Sequence, residues 1–136
     1  MISCGPDDAE KVILDWITDW CDLLAEGRIE EACARLDEPD NYGRRWSAGE
    51  VSAAVDETFS AETRFRRSHP DGLSFTEPRD SSGNPCANIA ELSDGSGYWA
   101  EFNLPINGEF SDLTAQFRFR RARGRLLVSL QELHVL

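Results

Sequence analysis

The chain has 136 residues, 40% of them hydrophobic and 10% aromatic, which suits one domain around one apolar core. Its formal net charge is −11, unevenly spread: 16 acidic and 5 basic residues precede residue 63, and 9 of each follow. That balance argues against binding nucleic acid phosphates and for solubility or a basic partner, and no apolar run is long enough to span a membrane.

Residues 6–26 read as a helix. Pro6 suits a first-turn position, and Asp7, Asp8 and Glu10 suit the positive end of the helix dipole. Val12, Ile13, Trp16, Ile17, Trp20, Leu23 and Leu24 recur at helical spacing as one apolar stripe, and Gly27 is a natural stop. Asp15, Asp19, Asp22 and Glu26 lie on the opposite side, which reads either as a solvated face or as a docking face for a basic partner. A short second helix over 29–36 follows tightly, as in a helical hairpin. A third begins at Ser47, where Ser47 and Glu50 form a capping box, and buries Val51, Ala54, Val55, Thr58 and Phe59. Residues 63–68 and 73–77 are expected to pair as a small hairpin about Pro70-Asp71-Gly72, with His69 exposed in the turn. A loop over 78–85 then leads to a strand over 86–92.

The last forty residues organise the fold. Three antiparallel strands are expected over 98–106, 110–121 and 126–136. Asn107-Gly108 makes the first hairpin, because both central positions of a type I′ turn need positive φ, and Gly124 lies in the second. A two-residue turn pairs Ile106 with Glu109, Leu104 with Ser111, Phe102 with Leu113, Ala100 with Ala115 and Tyr98 with Phe117, all on one buried face. Trp99, Glu101 and Asn103 then oppose Gln116, Thr114 and Asp112 on the other. Through the second turn, Phe119 meets Val128 and Phe117 meets Leu130. Beyond that point two registers are open. Strict alternation turns Glu132 and His134 inward, whereas one β-bulge sends them outward and brings Leu133 and Val135 in. Helices followed by antiparallel strands define an α+β domain, with three N-terminal helices on the concave face of a curved sheet and a cavity between the layers.

This layout resembles the nuclear transport factor 2-like family of cone-shaped domains. The resemblance rests on the Trp-bearing first helix, the phrase Gly27-Arg28-Ile29-Glu30-Glu31-Ala32 followed by Leu36 and Asp37, and the closing three-strand meander. Ser111-Asp112-Leu113-Thr114-Ala115-Gln116-Phe117 and the terminal Leu133-His134-Val135-Leu136 also resemble small bacterial domains to which no activity is assigned. The family resemblance implies an isomerase, a dehydratase, a hydrolase or a non-enzymatic binding module, and it implies dimerisation through sheet faces.

Several constellations carry candidate chemistry. Glu132 and His134, spaced i, i+2 on a strand, are the acid–base candidates if they face the cavity, with Tyr98 as a hydrogen-bond donor. Trp16, Trp20, Trp46, Tyr98, Phe102 and Phe117 either line an apolar ligand pocket or are plain core. Trp99, Gln116 and Leu127 on the outer sheet face suggest a homodimer interface. Arg118, Arg120, Arg121, Arg123 and Arg125 read as ion-pairing or self-association groups rather than as a phosphate site. Cys4, Cys21, Cys33 and Cys86 show no metal-ligand spacing, and no phosphate-binding glycine loop or nucleophile set is readable, so neither a metal nor a cofactor is expected. Cys4 after Met1-Ile2-Ser3 echoes a lipoprotein cleavage site without the apolar segment that should precede it. Reduced thiols and a cytoplasmic location are the expectation. The sequence thus points to a non-enzymatic domain binding a small apolar ligand or a basic protein, in the manner of an immunity protein against a basic toxin. The alternative is a cofactor-independent lyase or isomerase.

Overall fold

The computed structural model describes residues 2–3, 8–84 and 87–135. Pro6, Asp7, Cys4, Cys86 and Leu136, named above, lie outside the described residues. The order of elements is β1 (Ile2–Ser3), α1 (Ala9–Ala25), α2 (Ile29–Ala34), α3 (Ala48–Thr58), α4 (Arg64–Arg67), a 3-10 turn (Pro78–Asp80), β2 (Asn88–Glu91), β3 (Gly97–Ile106), β4 (Glu109–Ala122) and β5 (Arg125–Val135). The class is α+β, with an antiparallel sheet in the order β1-β5-β4-β3-β2.

The apolar stripe of α1 is buried from Ile13 to Leu24. The helix stops where expected: Gly27 takes φ 77°, its amide donates to Leu24 O, and the Arg28 amide donates to Leu23 O. This pair of bonds closes the last turn and needs the left-handed conformation that glycine adopts without strain. Ser47 caps α3, accepting from the Glu50 amide at 3.3 Å. The small hairpin expected over 63–68 and 73–77 does not form. Thr63 instead caps a helical turn, Arg64–Arg67, which seats Phe65 on Phe59 with ring centroids 4.6 Å apart. Residues 74–76 pair instead with the end of β3, through an isolated bridge of Phe75 to Ile106 and the bonds Thr76 amide to Pro105 O and Asn107 amide to Ser74 O. His69 is half-buried rather than exposed, its Nδ1 2.8 Å from Phe65 O and its ring 4.6 Å from Phe65.

Both hairpin turns form as positive-φ pairs, Asn107-Gly108 and Arg123-Gly124. The pairing of β3 with β4 departs from the expected register. It begins at Ile106↔Glu109 and Pro105↔Phe110 but resumes at Asn103↔Thr114, Phe102↔Ala115 and Ala100↔Phe117. Two more residues are used on β4 than on β3. Ser111 absorbs the irregularity: its Oγ donates to Leu104 O at 2.7 Å and accepts from the Leu113 amide, while Asn103 Nδ2 donates to Ser111 O. A displacement of two leaves every side chain on its original face. Phe102, Leu104, Leu113, Ala115, Phe117 and Phe119 accordingly remain buried against the helices.

The β4–β5 pair carries a true inversion. Phe117 faces Leu130 but Gln116 faces Glu132, so Gln131 is an extra residue on β5. Of the two registers open from sequence, the bulged one is present. Leu133 turns inward at 8% exposure, and Glu132 and His134 turn outward. Val135 shares the inward phase opposite Leu113 but stays 52% exposed at the strand end.

Candidate functional site

Of the aromatic residues expected to line a pocket, Trp16, Trp20 and Phe117 are packed against one another and Phe102 against Phe110. Trp20, Phe117 and Phe102 are 0%, 0% and 2% exposed. Phe117 meets Trp16 and Trp20 edge-on at 5.5 and 5.2 Å, a favoured geometry in which the edge of one ring meets the face of another. Trp20 satisfies its indole by donating to Ala32 O at 2.9 Å across the α1–α2 hairpin. Tyr98 is half-buried at the start of β3, where Arg121 donates to its hydroxyl at 2.8 Å and lies over its ring.

Glu132 and His134 sit on the outer sheet face, with Glu132 Oε2 3.1 Å from His134 Nδ1 but outside hydrogen-bond geometry, and both side chains 40% or more exposed. They do not converge with Tyr98 beneath the helices. The bulge at Gln131 is the physical reason, because one added residue exchanges the two faces of everything after it. On the same outer face, Trp99 lies opposite Arg118 and Leu127 opposite Arg120, and Gln116 donates to Glu101 at 2.9 Å. Trp99, Gln116 and Leu127 are all half-buried. Two of the hairpin arginines are held by ion pairs, Arg120 with Glu38 and Arg121 with Glu91.

Of the residues expected to bind a ligand, Trp46 lines open grooves. Residues 37–46 run along β5. The Asp37 and Glu38 amides donate to Val128 O, Asp37 accepts from the Val128 amide, and the Asn41 amide donates to Gln131 Oε1. The segment covers a strand edge that would otherwise offer unpaired backbone groups to another chain. Asp40, 6% exposed, fixes its curvature by accepting from the Tyr42 and Arg44 amides and from Arg44 Nε at 3.1 Å. Burial works against its charge, but the two amides and the guanidinium outweigh that and hold the carboxyl below its ordinary range. The segment ends at Trp46, whose indole donates to Leu130 O at 2.8 Å.

Trp46 therefore forms a ridge between two grooves. One, of about 260 Å³, lies between α3 and the end of β5 and is lined by Arg44, Glu50, Ala53, Ala54, Glu57, Glu132 and Leu133 beside Trp46. The other, of about 290 Å³, reaches α2 through Glu30, Cys33, Ala34, Leu36, Glu38 and Arg45. Carboxylates outnumber guanidinium groups in both. The Cys33 thiol is pushed up to about 11 by burial and then by Glu30 and Glu50, so it stays protonated and weakly nucleophilic at neutral pH. A third opening, of about 320 Å³ between the α1–α2 turn, α3 and residues 73–75, is more apolar.

Sequence reasoning singled out Trp46 but missed Asp40, Glu57 and the edge-covering segment. The turn Asp40-Asn41-Tyr42-Gly43 is readable as a side-chain-stabilised turn, whereas its docking onto β5 is a long-range event with no local signal. Among the described residues, no group of three or more His, Cys, Asp or Glu side chains is placed to hold a metal ion, and no helix is long and apolar enough to cross a membrane. The chain matches no family model, no curated protein and no solved structure.

Proposed function

We propose that this chain is a cone-shaped domain of the nuclear transport factor 2-like class that acts as a non-enzymatic binding module for a basic protein. The observation that carries this reading is the pair of carboxylate-rich grooves on either side of Trp46, in a molecule whose formal net charge is −11. The aromatic interior supports it as well, since Trp16, Trp20, Phe102 and Phe117 are engaged with neighbouring side chains. An acidic face gathers and orients a cationic partner at long range, and its affinity falls as salt screens it. Buried, unpaired Cys21 and Cys33 suit a reducing compartment and hence the cytoplasm. The test is a binding titration against cationic protein domains across ionic strength. The reading expects saturable binding that weakens with salt and is lost when Glu50, Glu57 and Glu132 are replaced together by Gln. Equal binding to cationic and anionic domains would refute it.

A second association is favoured by the outer sheet face, where half-buried Trp99 and Leu127 stand beside Arg118 and Arg120. Homodimerisation through Trp99, Gln116 and Leu127 would cover them. Sedimentation at micromolar concentration would return a dimer for the native chain and a monomer for a Trp99→Glu variant; a monomeric native chain ends the idea.

A further inference from the structure

We propose that the groove between α3 and the end of β5 receives one arginine or lysine side chain of the basic partner, and that Arg44 is the chain's own occupant of that seat, displaced when the partner binds. The proposal rests on the binding-module reading above. Its starting point is a guanidinium already in place: the Arg44 head group lies over the Trp46 ring, 4.0 Å from its centroid. The indole is fixed by its bond to Leu130 O, so its face is presented to the groove in a set orientation. Cations are attracted to that face by the ring quadrupole, and more so as water is excluded.

Arg44 leaves most of the charge of the groove unused. Its Nε lies 3.1 Å from Asp40 and 4.0 Å from Glu50, and its side chain is 45% exposed. Among the described residues, Glu57, exposed on α3, makes no hydrogen bond or ion pair, and the ionic contact of Glu132 is with His134. A partner's cation entering from solvent reaches these two carboxylates while keeping the indole face, and Ala53, Ala54 and Leu133 accept the methylene stem. Removal of Arg44 does not undo the loop, because Asp40 still accepts the Tyr42 and Arg44 backbone amides. The exchange gives up the Arg44 side-chain bond to Asp40 and trades one cation on Trp46 for another that also satisfies Glu57 and Glu132.

The experiment titrates the full chain with a hexa-arginine peptide and follows the indole N–H resonances of the four tryptophans. The Trp46 resonance should move saturably. Arg44→Gln should bind about threefold more tightly, since a resident competitor worth one exposed cation–π contact has gone. Glu57→Gln, a change on an exposed helix face, should bind about threefold less tightly. If the peptide binds but Trp46 does not respond, or Arg44→Gln binds no better than the native chain, the seat is elsewhere and this inference falls while the basic-partner reading stands. If the peptide does not bind even at low salt, both fall.

Discussion

Replacing Phe117 by Ala separates a packed core from a ligand pocket. Phe117 is fully buried and touches Trp16 at 5.5 Å, Trp20 at 5.2 Å and Phe119 at 6.1 Å between ring centroids. Truncating a buried phenylalanine removes its transfer free energy and leaves a cavity, together about 3–5 kcal/mol. The edge-on contacts with the two indoles, at about 0.5–1.5 kcal/mol each beyond area, place the loss toward the upper end of that range. With a urea m-value of about 2 kcal/mol per M, a loss of about 5 kcal/mol lowers the unfolding midpoint by about 2.5 M. The assay is urea unfolding followed by tryptophan fluorescence, with Phe117→Leu as the companion variant that keeps most of the volume and should lose much less. The Ala variant should also acquire a dry apolar cavity that binds benzene more tightly than the native chain. A loss below about 1 kcal/mol would show that nothing packs tightly around the ring and would restore the interior pocket expected from sequence.

Three further outcomes follow from particular groups. Asp22 has an Oδ1 shielded from water with no hydrogen-bond partner among the described residues, and its carboxyl is pushed up by burial and then by Glu77, with Arg79 opposing. A carboxyl raised on folding weakens the protein as pH climbs from its unfolded value through its folded one, so Asp22→Asn should be the more stable protein at neutral pH and the difference should vanish in acid; thermal melts across pH check this, and a less stable variant at neutral pH would contradict it. Deleting Gln131 removes the bulge residue yet leaves Leu133 inward, and forfeits the bonds to Asn41 and Ser129 at about 1 kcal/mol each; chemical denaturation measures this, and outright unfolding would mean that the bulge is needed for itself. Cys21 and Cys33 are both pushed up mainly by burial, so maleimide should spare them in the native chain at neutral pH and label them on unfolding, as peptide mapping would report.

Much of the fold is legible because it is local. The stripe of α1, the stop at Gly27, the cap at Ser47 and the turn at Asn107-Gly108 each depend on residues within a turn or two of one another. The inward face of β3 and β4 is also readable, and survives a register error of two because side chains repeat with that period. The hairpin expected about Pro70-Asp71-Gly72 is replaced by a helical turn in which Phe65 packs on Phe59, a partner no local pattern reveals. The candidate site was legible only in part: Trp46 stands out as an aromatic before a capped helix, but its groove is completed by Glu132 and Leu133, more than eighty positions away.

By itself, the sequence determined the α+β class, the identity of the buried face and the excess of negative charge, since these follow from composition, periodicity and turn chemistry. Tertiary structure alone decided that Gln131 is an added residue, that Glu132 and His134 face outward, and that residues 37–46 cover the edge of β5. Periodicity fixes a face only while the count is unbroken, and whether a strand takes an extra residue depends on what waits across space to bond it, here the Asn41 amide ninety positions away.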